Sequence, residues 1–190
     1  MASIVGICNS ALIKLGATRI IQLTEGSKNA NLCSEQFEKV RDDLLRGHVW
    51  NFAIGRTKLA RLAEVPAFEF GTAFQLPSDF LRVVSVHPDG SGRAMVPYRI
   101  EGRKLLADSE AIYLRYIHQI SDPNEMDALF RETLAWALAA DLSIPITQSN
   151  SMRQMMEEGL RMQLSKAKSI DSIEDFPESE PVPASVAVRG

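Results

Sequence analysis

Nothing in this chain is built to cross a membrane as a helix. No apolar run approaches the ~18 residues that span a bilayer, and the N-terminus has no basic stretch leading to a small-residue cleavage site. Cysteine is scarce. Cys8 and Cys33 are the only two, each on a predicted apolar helix face, the usual setting of buried reduced thiols in a cytoplasmic protein. The three histidines, His48, His87 and His118, fall in three different predicted elements. None has the spacing to a cysteine or carboxylate that gathers the roughly four ligands of a zinc site, so neither a metal nor another cofactor is expected. A GxSxG nucleophile elbow and a P-loop are both missing. Asp89-Gly90-Ser91-Gly92 has the look of a phosphate loop, but Met95 stands where a third glycine would be. Those glycines suit the turn of a β-hairpin.

An excess of one charge is also lacking. The chain carries 21 basic and 24 acidic residues; residues 171–190 hold five acids and one base, which leaves 20 bases and 19 acids in residues 1–170. A protein that grips duplex DNA tightly shows a basic excess on one face, and the composition offers none.

What is present is a strong helical pattern. In residues 29–53, Ala30, Cys33, Phe37, Val40, Leu44 and Leu45 recur at steps of three and four, one face of an amphipathic helix. Glu35, Glu38, Lys39, Arg41 and Asp42 are directed away from it. The helix runs into His48-Val49-Trp50-Asn51-Phe52-Ala53, where the Trp50 and Phe52 rings are expected to anchor a core. Ahead of it, Ser3 is placed to cap a first helix with Ile4, Ile7, Cys8, Ala11, Leu12 and Leu15 as its stripe and Gly16 as its stop.

Between about residues 57 and 121 the periodicity changes. Alternating segments parted by turn residues predict strands at 72–76, 80–87, 94–100, 104–107 and 111–120, with 80–87 and 94–100 as the arms of a hairpin. Helix resumes after Asp122-Pro123 with a stripe of Met126, Leu129, Phe130, Leu134, Ala137, Leu138 and Leu142, closed by Pro145. A fourth helix is predicted over 151–167 with Met152, Met155, Met156, Leu160, Leu164 and Ala167 inward. Four of the seven methionines lie between Met152 and Met162, a cluster that suits core packing better than an adaptable binding face.

The fold class expected is therefore α+β, mainly α. One domain spans residues 1–170, with a bundle of about four helices (1–56 and 122–170) and a small inserted antiparallel β-subdomain (about 57–121). Leu12, Phe37, Leu44, Trp50, Phe52 and Trp136 are its expected core. Residues 171–190, acidic and carrying Pro177, Pro181 and Pro183, bury too little to fold alone and are expected to form a disordered tail. Phe176, Val182, Val186 and Val188 are its candidate docking groups for a partner.

The residues also follow a known order. Asn9-Ser10-Ala11-Leu12-Ile13-Lys14-Leu15-Gly16, Ile20-Ile21-Gln22-Leu23, Arg41-Asp42-Asp43-Leu44-Leu45, Trp50-Asn51-Phe52-Ala53 and Leu76-Pro77-Ser78-Asp79-Phe80-Leu81-Arg82 succeed one another as in the head–tail adaptor (connector) proteins of tailed bacteriophages. The chain most resembles the tail tubular protein A type of podoviruses, and the helix containing Ala135-Trp136-Ala137 fits the later helices of that family. The resemblance covers roughly residues 4–170.

The resemblance implies a non-enzymatic virion protein, assembled in the host cytoplasm and placed at the head–tail junction. It implies a ring, typically of about twelve copies, between the portal protein and the tail nozzle or tail tube protein. Double-stranded DNA passes its channel without specific binding, a task that a near-neutral or acidic protein suits. The isolated protein is expected to be monomeric until it meets the portal. Two other classes remain at this point: a small cytoplasmic module binding nucleic acid or protein, and a small enzyme.

Overall fold

The computed structural model of the protein describes residues 1–174. The docking groups Phe176, Val182, Val186 and Val188, and the bulk of the tail expected to be disordered, lie outside the described residues. Within them the fold is α+β and mainly α, with four α-helices and antiparallel β-sheets inserted between the second and third.

Helix α1 (Ile4–Lys14) opens on Ser3, whose hydroxyl accepts the Gly6 N–H at 3.0 Å. It is closed by Gly16, whose φ of +66° suits glycine. The link to α2 (Lys28–Gly47) is pinned by one side chain. Asn9 accepts the Ile20 N–H at 2.8 Å and donates to the Ile20 carbonyl at 2.9 Å, the pair of bonds a neighbouring strand would supply. Ser27 caps α2 through the Ala30 N–H. Ile7, Cys8, Ala11 and Leu12 of α1 and Ala30, Cys33, Phe37, Val40 and Leu45 of α2 are buried as their spacing requires. Arg41 departs from expectation: it is 2% exposed. It follows Phe37 by four residues and so sits on the apolar stripe; the Asp42 carboxylate, 2.7 Å from its Nε, supplies the counter-charge.

Helix α3 (Ala128–Thr147) lies against α1, α2 and α4 (Asn150–Ile173). It is buried almost all round, the signature of a central helix, and its inward Thr133 and Ser143 hydroxyls donate back to the Leu129 and Ala140 carbonyls. It starts later than predicted, because Asp127 provides the cap while Asp122 turns the chain at Asn124. Pro145 does not close it. The proline falls in the last turn, where its missing N–H costs one bond, and Gln148 at φ +53° ends the helix. In α4, Met156 and Ala167 are inward, but Met155, expected inward, is 55% exposed. The contact with α3 is made close to Gly159 and Trp136, and this narrow seam leaves Met155 in solvent. Helix α4 also runs to Ile173, six residues past its predicted end and into the expected tail.

The insert begins at residue 54, directly after a single 3₁₀ turn over Asn51–Ala53. It forms two antiparallel sheets where one was expected. The first orders β1 (Ile54–Lys58), β7 (Tyr113–His118) and β4 (Phe80–His87) as β1-β7-β4. The second orders β2 (Ala60–Arg61), β3 (Thr72–Gln75), β6 (Lys104–Ala107) and β5 (Tyr98–Glu101) as β2-β3-β6-β5. The predicted hairpin is absent among the described residues: β4 pairs with β7, and β5 pairs with β6. A single bond from the Val96 N–H to the Val86 carbonyl remains, and Pro97, which has no N–H, stands where such a ladder would continue.

β7 is the wall shared by two cores. Ile112, Leu114 and Tyr116 face a core joining the sheets, with Leu59, Phe74, Leu76, Val86 and Leu105. Ile117 and Ile120 face the helical core. Gly55 lies opposite Tyr116 in the ladder. A Cβ there would come within 2.9 Å of the phenol ring, so glycine lets the ring lie across β1.

Candidate functional site

The point at which the helices hand over to the sheets gathers most of the sequence's distinctive residues. Trp50 is 1% exposed and its Nε1–H donates to the Leu44 carbonyl at 2.9 Å; the Phe130 ring packs edge-on against it at 5.1 Å, and Phe52 closes the triangle. The end of α4 is tied to the same place. Asp171 accepts the Asn51 N–H at 3.0 Å through Oδ1, its Oδ2 lies 3.1 Å from His48 Nε2, and its carbonyl accepts from Asn51 Nδ2 at 2.6 Å. On the other side, the Gln119 side chain donates to Asp42 at 2.7 Å while its N–H donates to the Asp79 carbonyl at 2.8 Å. Arg46 donates to the Leu81 carbonyl and Arg82 to the Arg46 carbonyl. Two helix ends and two strands are thus joined by hydrogen bonds to backbone groups that would otherwise lack partners.

Of the expected core residues, Leu12, Phe37 and Trp50 are buried, while Leu44, Phe52 and Trp136 are half-buried against the core. Trp136 lies between α4 and Lys14, whose ammonium is 4.9 Å from the ring centroid and 2.8 Å from Glu132. Asp171 was not legible as a joint, since it reads as the first acid of a polar tail; its position four residues after Ala167 is the one trace of its inward direction.

Cys8 and Cys33 meet between α1 and α2 as free, buried thiols. The hydrogen bond between them pushes Cys8 up, with burial adding to the rise, and draws Cys33 down. The histidines stay apart. His48 is engaged by Asp171, His87 by Ser85 and the Ala94 carbonyl, and His118 by the Gln119 carbonyl. Among the described residues no group of three or more His, Cys, Asp and Glu side chains is placed to hold a metal ion.

A groove of about 600 Å³ runs between α2, α3 and α4. Val40, Leu44, Ala140, Ile144, Leu160 and Leu164 line it, with Asp43, Asp141, Arg153 and Glu157 at its edges. Partial burial raises the Asp141 carboxyl, against the opposing pull of Arg153. An apolar floor with mixed charges at the rim suits contact with another surface, and it brings together no nucleophile with a base.

No protein-family model matches the chain, and no curated protein matches it. No helix among the described residues is long and apolar enough to cross a membrane.

Proposed function

We propose that the protein is a structural head-to-tail adaptor of a tailed bacteriophage, a ring subunit that joins the portal to the tail around the DNA passage. The observation that carries this reading is where the resemblance phrases fall in the fold. Asn9, Asp42, Trp50 and Asp79 come from four separate phrases, and each makes a hydrogen bond that fixes one element to the next. The shared residues thus serve to hold a shape, as a ring subunit requires, and they converge on no reaction centre.

In this reading the helical hairpins pack side by side around the ring and the β-subdomain projects toward the tail nozzle or tail tube. The apolar groups Phe176, Val182, Val186 and Val188 are the portal-docking groups in this reading. Ordering one arm costs entropy, but arms engaged together on a ring give avidity. The test is retention on an immobilised portal ring from the same phage. The full chain is expected to be retained, and a chain ending at Glu174 is expected to wash through with its melting temperature unchanged. Failure of the full chain to bind would overturn the adaptor reading. Equal retention of both chains would overturn the docking arm.

A further inference from the structure

We propose that the exposed stripe of α4 carrying Met155 and Met162 seats in the groove between α2, α3 and α4 of a second copy of this chain, with Lys166 of the stripe reaching Asp43 at the groove's rim. This names the contact surfaces of the ring and rests on the ring reading for their purpose.

The two surfaces belong to opposite flanks of one helix. Met155, Met162 and Ile173 follow one another at seven and eleven residues, close to whole helical turns, and so fall on one line of α4. Both methionines are more than half exposed, and Ile173 is exposed as well. Arg153, Glu157, Leu160, Leu164 and Lys168, which wall the groove, lie about half a turn round from that line. A copy that offers its stripe to one neighbour therefore keeps its groove open to the next. Such a head-to-tail contact closes into a ring only when both patches stand at the same height along the rotation axis. They do so for an axis running along α4. The stripe from Met155 to Ile173 is roughly 27 Å long, and the groove wall from Arg153 to Lys168 is roughly 22 Å long beside it.

The chemistry of the two faces matches. The floor of the groove includes Ala137 and Ala140, small residues that let a helix approach closely, and unbranched methionine adapts to the shape of such a floor. At the rim, Arg153 is taken up by Glu157 at 2.7 Å. Burial raises the Asp141 carboxyl and the neighbouring Asp43 carboxylate adds to the rise, so a further cation is welcome there. Lys166, exposed and four residues after Met162, extends the stripe with that cation. The methionine cluster of the sequence thus divides between two duties. Met156 fills the core of its own subunit, while Met155 and Met162 fill that of the contact.

The test is disulfide trapping of the full chain without portal, so its outcome is separate from that of portal retention. A ¹⁵N-labelled Met162→Cys chain is mixed with an unlabelled Leu164→Cys chain under oxidised glutathione, and the linked peptides are mapped by mass spectrometry. The native Cys8 and Cys33 are buried and add little background. Covalent trapping accumulates contacts too brief to hold free monomers together. Links from 162 to 164 between labelled and unlabelled chains are expected to exceed, several-fold, those of a control pair of Met95→Cys with Leu164→Cys. Lys166→Glu in the Met162→Cys chain is expected to lower the yield several-fold, and Asp43→Lys in the other chain to restore it. A yield no higher than the control overturns the proposal. Links from 162 to 162 in excess assign the stripe to a two-fold pairing and overturn it as well. An unchanged yield with Lys166→Glu overturns the pairing of Lys166 with Asp43.

Discussion

Gly159 sits so close to Trp136 that a Cβ built on it would come within 2.2 Å of the ring carbon Cζ3. No ordinary contact is that short, so the α3–α4 seam exists in its present form because residue 159 has no side chain. Glycine inside a helix costs roughly 0.5–1 kcal/mol relative to alanine, a cost accepted here for close approach. Gly159→Ala is therefore expected to destabilise the protein by about 1–3 kcal/mol in urea unfolding, against the gain that helix propensity alone would give. Trp136→Leu in the same chain should recover part of the loss. A stabilised Gly159→Ala protein would show that the seam is loose.

Asp171 closes the bundle onto the sheet, and its loss should be felt as such. Asp171→Ala removes the acceptors of the Asn51 N–H and of His48 and leaves buried donors unsatisfied, at a cost of about 1–3 kcal/mol. A chain ending at residue 170 should lose at least as much, whereas one ending at Glu174 should unfold as the full protein does. Equal midpoints for the 170 and 174 chains would return the domain boundary to the position suggested by composition.

Tyr116 gives a dependence on alkaline pH. It is 8% exposed, and burial, together with the Asp79 carboxylate beside it, raises its phenol above the ordinary value. The folded state therefore holds this proton more tightly than the unfolded chain. The associated stability is whole below about pH 10, where an unfolded tyrosine begins to ionise, and is lost as pH rises through the higher folded value. Tyr116→Phe should cost about 0.5–1.5 kcal/mol at neutral pH through the bond to Asp79 and should unfold less steeply on the alkaline side. Parallel stability curves for the two proteins between pH 9 and roughly pH 12 would contradict this.

The helices were legible because 3.6-residue periodicity and short polar caps are local properties. Ser3 and the apolar faces of α1 and α2 could be read directly, and β4 and β6 fell at 80–87 and 104–107 as predicted. What escaped depends on contacts distant in sequence. The partner of β4 was settled by Pro97 and by the β5–β6 turn, so a plausible hairpin gave way to two sheets. Arg41 was assigned outward by its charge, although its position four after Phe37 pointed inward and Asp42 made burial tolerable. Pro145 read as a stop, yet the last turn of a helix tolerates a missing N–H. Asp171 lay in a stretch whose composition speaks of solvent, and only the fold brings Asn51 and His48 to it. The junction's residues were thus visible as phrases, while their role as joints became visible through their hydrogen bonds.

The adaptor reading rests most directly on assembly. Mass photometry of the purified protein, alone and mixed with a dodecameric portal from the same source, distinguishes a ring subunit from an independent small protein. The account predicts a monomer alone and, in the mixture, a species heavier than the portal by about twelve copies of this chain. A monomer that persists unchanged beside an unshifted portal peak would contradict it.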